Sequence, residues 1–143
     1  MKLIYVASPY AGDVEKNITF ARRACRYVME QGHAFFAPHL LYPQILDDTD
    51  PEERKAGMKF GIRILEICDE LWVCGDRISM GMEAEIELAK QLGIPIRYVS
   101  EEQILGNMQE EGKEIRIIQE GRVKIEKAYP QDSQGMRSMT GLR

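Results

Sequence analysis

The stretch Gly75-Asp76-Arg77-Ile78-Ser79-Met80-Gly81-Met82-Glu83-Ala84-Glu85 is the densest polar feature of the sequence. Gly81 lets the backbone come close to a ligand. Ser79 has the side chain to cap a following helix or to meet a ligand hydroxyl. Glu83, Glu85 and Glu87 crowd the first two turns of that helix, and part of this pattern is ordinary, because acids favour the positive end of the helix dipole. Spacing separates them. Glu85, Leu88 and Ala89 stand at i, i+3 and i+4, on one helical face, and Leu88 and Ala89 are the residues expected to pack on a sheet. Glu85 is therefore directed at the sheet end rather than at solvent, which is unusual for a carboxylate that is merely hydrated.

A second loop, Ala7-Ser8-Pro9-Tyr10-Ala11-Gly12-Asp13, lacks the glycine spacings of a dinucleotide site and of a P-loop, which argues against a Rossmann cofactor or an ATPase. Small residues leading into a helix N-terminus can still receive a phosphate or a sugar hydroxyl; a plain strand-to-helix turn is the alternative. Tyr10 either stacks on a base or covers the core. The sequence shows no cluster with metal-ligand spacing and calls for no cofactor.

These loops need a frame. Residues 2–8 (KLIYVAS) are a continuous apolar run, as expected of a strand covered on both faces. Asp13 can cap a helix running to about residue 31, with Ile18, Ala21, Cys25 and Val28 as its apolar stripe, the arginines 22, 23 and 26 facing elsewhere, and Gly32 ending it. Residues 33–37 form a second strand closed by Pro38. Asp50-Pro51-Glu52-Glu53 opens a helix to about residue 68, with a stripe of Met58, Ile62 and Leu65 and Ile64 beside it. Residues 70–74 (ELWVC) form the third strand, 81–92 the next helix with Gly93 as its cap, and 95–99 (PIRYV) the fourth strand. Ser100-Glu101-Glu102-Gln103 is a capping box. Trp72 and Tyr98 read as core residues.

Strand–helix alternation with short links predicts an α/β fold: a doubly wound, flavodoxin-like (Rossmann-like), mainly parallel sheet of about four strands in the order 2-1-3-4. Residues 1–112 would form this domain. Residues 113–128 alternate apolar and polar around Glu120-Gly121 and read as a β-hairpin, and 129–143 as a disordered tail. In such a sheet, ligands bind outside the carboxyl ends of the strands, where the loops 8–13, 38–48 and 75–81 and the residues after Val99 meet.

At 143 residues the chain fits one domain of typical size, about 100–150 residues. A net charge of −4 argues against general nucleic-acid binding. Cys25, Cys68 and Cys74 form no Cys-x-x-Cys pair and are odd in number, so free buried thiols are expected. The apolar run at the start is far shorter than the ~20 residues of a membrane span. No membrane association and a cytoplasmic setting follow as expectations.

Three segments carry a resemblance. Ile4-Tyr5-Val6-Ala7-Ser8-Pro9-Tyr10, Cys68-Asp69-Glu70-Leu71-Trp72-Val73 and Ser79-x-Gly81-x-x-x-Glu85-x-x-x-Ala89 resemble the nucleoside 2-deoxyribosyltransferase superfamily. Ala37-Pro38-His39-Leu40-Leu41 and Gly75-Asp76-Arg77-Ile78-Ser79 make the chain similar to an uncharacterised bacterial and phage branch of it. The resemblance covers about residues 2–99. It implies that Glu85 attacks the anomeric carbon of a deoxyribonucleoside, with Tyr5 orienting it, Ser79 and Gly81 at ligand contacts, and Ser8, Pro9 and Tyr10 touching sugar or phosphate. A carboxylate can stabilise an oxocarbenium-like centre and form a glycosyl ester. The chain departs from the family in one place: the aspartate that helps protonate the leaving base is replaced by Gly61 or a neighbour such as Lys59. His39, Asp47 and Asp48, on the loop after strand two, are the available substitutes; His39 could titrate near neutrality or be structural, as His33 is expected to be, and the two aspartates could simply solvate the loop.

The resemblance thus implies a small-molecule nucleoside or nucleotide partner, and an enzyme that cleaves or exchanges an N-glycosidic bond. A nucleotide-sensing module that kept the pocket without the chemistry is the second reading, and a scaffold acting by oligomerisation the third. Members of the family assemble as dimers or larger, so a homo-oligomer is implied.

Overall fold

The apolar run at the start becomes β1, Leu3–Ala7, and its alternation fixes which helix packs where. Successive side chains of a strand point to opposite faces. Ile4 and Val6 join one buried cluster with Ala24, Val28, Trp72, Cys74 and Ile104. Tyr5 and Ala7 join the other, with Leu65, Leu71, Val73, Met82, Ile86 and Ala89. The computed structural model describes residues 1–110, with side chains through residue 106; residues Met1–Leu105 form one compact unit. The predicted hairpin (113–128) and tail (129–143) lie outside the described residues.

The elements after β1 are α1 (Val14–Glu30), β2 (Ala34–Phe36), α2 (Pro51–Ile67), β3 (Glu70–Cys74), α3 (Met80–Leu92), β4 (Ile96–Val99) and α4 (Glu101–Glu110). Two single 3-10 turns, Pro38–Leu40 and Tyr42–Gln44, lie between β2 and α2. The sheet order is β2-β1-β3-β4, and every pair is parallel, with Tyr5 opposite Phe36 on one side and Leu71 on the other. Helices α1 and α4 cover one face, α2 and α3 the other. This is the doubly wound α/β sheet that the strand–helix alternation predicts. Each fully buried Ile, Val or Leu of β1 and β3 contributes about 1.5–3 kcal/mol, so the two central strands carry much of the stability of the frame.

Local signals act as expected at the helix ends. Asp13 and Asp50 cap α1 and α2, accepting from the backbone N–H of Lys16 and Glu52. Ser100 and Gln103 form the reciprocal box at α4. Gly93 closes α3 at φ +73°, a left-handed conformation that glycine adopts without strain. The three cysteines are free and buried, and burial pushes the Cys25 and Cys74 thiols up to about 12. His33 stands just before β2, where its Nδ1 accepts from the Lys2 backbone at 3.3 Å. Among the described residues, no helix is long and apolar enough to cross a membrane.

Three sequence expectations are corrected. Helix α2 buries Gly61 and Leu65 and leaves Met58 and Ile62 exposed: it approaches the sheet through its smallest residue, which rotates the expected stripe outward. Arg23 is buried on α1 rather than solvated with Arg22. Tyr98 is exposed because β4 is an edge strand, whereas Trp72 on central β3 is fully buried.

Candidate active site

The loop between β3 and α3 is anchored at both ends. Gly75 continues the ladder by donating its N–H to Val99 O at 2.9 Å, and turns at φ +107°. Asp76 Oδ1 accepts from the Glu101 N–H at 3.0 Å, which ties this loop to the start of α4. Ser79 then caps α3, its Oγ accepting from Met82 N at 3.2 Å. The hydroxyl is thus engaged as a cap. Gly81 is exposed, and a Cβ placed on it would meet nothing nearer than Ser79 Oγ at 4.0 Å, so its backbone is open to approach.

With α3 fixed this way, Glu85 points inward to β1. Tyr5 Oη donates to Glu85 Oε2 at 2.8 Å. The other oxygen, Oε1, is buried and has no hydrogen-bond partner among the described residues. Burial pushes the carboxyl up to about 7, against the opposing pull of the Tyr5 hydrogen bond. Burial, and then the Glu85 charge, raise the Tyr5 phenol far above its ordinary value, so it remains a donor at any working pH. Gly61 of α2 lies directly behind this hydroxyl: a Cβ at 61 would sit 3.2 Å from Tyr5 Oη. The space for the Tyr5 hydroxyl depends on that missing side chain.

The loop after β1 forms a second group. Ser8 is buried and its Oγ has no partner among the described residues; Pro9 is buried beside it. Tyr10 stacks on His39 with ring centres 4.8 Å apart. Burial lowers the His39 pKa, outweighing a bond to the Ser8 backbone and the nearby Asp48 charge, which both act the other way; at neutral pH the ring is therefore the uncharged form. Asn17 holds the loop from α1, its Nδ2 donating to Tyr10 O at 2.9 Å and Ala11 O at 3.1 Å. Sequence reasoning missed Asn17. The available signal was a polar residue in line with Ala21 and Ala24 on the buried face.

Asp47 and Asp48 are exposed. Asp47 accepts from the Thr49 N–H and hydroxyl at 2.9 and 2.6 Å, which holds its pKa below the ordinary carboxylate value. Tyr5 and Glu85 are therefore joined directly, and Ser8, Tyr10 and His39 form a neighbouring cluster. No hydrogen bond or ring contact among the described residues links that cluster, or the two aspartates, to Glu85. Residues 107–143 aside, no group of His, Cys, Asp and Glu is arranged to hold a metal ion.

A row of rings, also missed in the sequence, runs out from the pair. Tyr5 and Phe36 have centres 5.7 Å apart, Phe36 and Tyr42 6.0 Å, and Tyr42 and Phe60 5.7 Å. The row ends at the surface, where Phe60 is 47% exposed.

The family model described as "Domain of unknown function (DUF7768)" matches residues 2–99. Among curated proteins, no sequence matches this chain. Among solved structures, it is similar to the 2-deoxyribosyltransferase of Bacillus psychrosaccharolyticus, at 23% identity and a TM-score of 0.56 over 68% of this chain and 72% of that one. It is also similar to a 2-deoxyribosyltransferase of Leishmania mexicana, at 16% identity and a TM-score of 0.52 over 70% of this chain and 65% of that one. At these identities the likeness is one of fold.

Proposed function

This chain belongs to the family described as a domain of unknown function (DUF7768), and we propose that it cleaves or exchanges the N-glycosidic bond of a nucleoside or nucleotide with Glu85 as the nucleophile. The observation that carries this reading is the Tyr5–Glu85 pair. One carboxylate oxygen is held by the Tyr5 hydroxyl at 2.8 Å, and the other is buried with no partner among the described residues. That asymmetry suits attack by Oε1 on an anomeric carbon while Oε2 stays fixed. The bond from Oε1 to the carbon forms as the carbon–nitrogen bond breaks, and its electron pair leaves with the base. Water or a second base then releases the sugar from the ester.

Each neighbouring element has a part in this reading. The open backbone at Gly81, with Ser79, frames the sugar. The loop Ser8, Pro9 and Tyr10, held by Asn17, contacts sugar or phosphate. His39, Asp47 and Asp48 supply the titratable groups after β2. The nucleophile must be ionised, so turnover rises with pH through about 7, where Glu85 loses its proton. The likeness to two deoxyribosyltransferases supports a deoxyribosyl substrate by analogy of fold. The same reading includes a cytoplasmic protein that uses no cofactor and assembles as a homo-oligomer, for which the outward Met58 and Ile62 of α2 offer an apolar surface.

The test incubates the purified protein with deoxyribonucleosides and their 5′-monophosphates, read by chromatography and intact-protein mass. Free base, or a glycosyl adduct that Glu85→Gln removes, is the expected result. Thermal stabilisation by one nucleotide, with neither base nor adduct formed, would replace the enzyme by a nucleotide-sensing module.

A further inference from the structure

The Tyr5–Glu85 pair has an environment that selects among leaving groups. Among the described residues, burial sets the proton affinity of the carboxylate, no cation contributes to it, and Tyr5 is its hydrogen-bond partner. On the α2 side, Gly61 presents only hydrogen to the Tyr5 hydroxyl, so no side chain of that residue delivers a proton there. His39 is engaged with the Ser8 backbone and Tyr10, in its uncharged form. Asp47 is held as an anion by Thr49. Neither of these groups touches the pair. A neutral base leaving without a proton must depart as an anion, and general acid help is typically worth about 10²–10⁴-fold.

The ring row points the same way. Phe36, Tyr42 and Phe60 lead from Tyr5 to the surface at spacings of 5.7–6.0 Å. Aromatic faces attract planar cations, and more strongly where water is excluded. The buried Glu85 carboxylate, with no cation beside it among the described residues, adds to that preference.

We propose that the substrates of this site are N-glycosides whose base carries a formal positive charge, such as a pyridinium or an N7-alkylated purine. The inference rests on the reading of Glu85 as nucleophile. Glu85 Oε1 bonds to the anomeric carbon, the carbon–nitrogen bond breaks, and its electron pair neutralises the cationic ring. The base departs neutral with no proton transferred. Water then hydrolyses the glycosyl ester, giving the free sugar, the Glu85 carboxylate and one proton released to solvent.

The experiment uses the full chain with matched pairs: 7-methylguanosine against guanosine, and their 2′-deoxy forms, together with the N-ribosyl pyridinium of nicotinamide. Base release is followed by chromatography, and each rate is compared with spontaneous hydrolysis, since cationic bases also leave faster unaided. The expected result is a preference for the cationic member in kcat/KM at least as large as the spontaneous ratio, whereas a site with a general acid would compress that ratio by about 10²–10⁴-fold. Glu85→Gln should abolish release. Phe60→Leu, at an exposed position, should raise KM more for the cationic member than for the neutral one. Equal turnover of neutral and cationic members, or turnover of neutral ones only, overturns the substrate class and leaves Glu85 as a glycosidic nucleophile. No release from any substrate, or release that survives Glu85→Gln, overturns both.

Discussion

Replacing Glu85 by glutamine should change how the protein's stability responds to pH, whether or not any substrate is known. In the folded chain Glu85 holds its proton up to about 7, against an ordinary value of 4.5, because burial disfavours the anion. At ~1.4 kcal/mol per pH unit, ionising Glu85 in place costs ~3 kcal/mol. The folded state therefore binds this proton more tightly than the unfolded one. Its contribution to stability is full below about 4.5 and lost as pH rises through about 7. Glutamine is neutral throughout and can still accept the Tyr5 hydroxyl. Its amide nitrogen occupies the place of the unpartnered oxygen, a penalty of ~1–3 kcal/mol that does not vary with pH. The diagnostic is thus the slope of the difference between the two proteins, since every other titrating group is common to both. Between pH 5 and pH 8.5, Glu85→Gln should gain ~2–3 kcal/mol on the wild type. For a chain of this size that is roughly 5–10 °C in relative Tm. Thermal melts at four pH values, with urea midpoints as a second measure, are sufficient. Parallel melting curves across this range would refute the picture of an uncompensated buried carboxylate, and with it the poised Oε1.

Two further substitutions probe the same pair. Tyr5→Phe removes the hydrogen bond that holds Glu85 down, so the midpoint of the pH–rate profile should move alkaline by about 1–2 pH units, the worth of a hydrogen bond to a charged group; an unmoved midpoint contradicts a role for Tyr5 in setting the nucleophile. Gly61→Ala places a Cβ 3.2 Å from Tyr5 Oη while favouring the helix by ~1 kcal/mol. Helix propensity and this close contact oppose one another, so its Tm should move little in either direction while adduct formation falls, and full retention of adduct formation would show that the space behind Tyr5 is unimportant.

The frame was readable because its signals are local. The capping aspartates at 13 and 50, the serine box at 100 and the glycine after α3 each act within a few residues of where they stand. The parallel order followed from the alternation of strands and helices. Glu85 also announced its direction through Leu88 and Ala89. What failed was long-range. The inward face of α2 is decided by how closely Gly61 approaches Tyr5, which no helical periodicity encodes, and the stripe of Met58 and Ile62 misled for that reason. Tyr98 carries a strand-like pattern, yet nothing in residues 95–99 says that β4 is the edge. From its own segment Tyr5 reads only as core. Its bond to Glu85 spans 80 positions, and only the resemblance pointed to it. The ring row needed three elements to meet, so no single segment displays it.

The buried oxygens that have no partner among the described residues help weigh the three readings. Ser8 Oγ and Glu85 Oε1 stand at the carboxyl end of the sheet, one on the loop after β1 and one in the first turns of α3. Leaving a buried polar group unpaired costs about 1–3 kcal/mol, a large share of a net stability of about 5–15 kcal/mol. A protein that served only as an oligomeric scaffold would gain from replacing either residue with an apolar one of similar size. Both stand at the carboxyl end of the sheet, where parallel sheets bind ligands, and the Ser8 loop is braced from beneath by Asn17. Braced loops and unpaired acceptors are what a site needs if the missing partner arrives with the ligand. A sensor and an enzyme share that need, and they differ in what Glu85 Oε1 does on contact: in a sensor glutamine at 85 preserves binding and there is no turnover to lose, whereas in an enzyme it abolishes a turnover that the wild type shows while the ligand still binds.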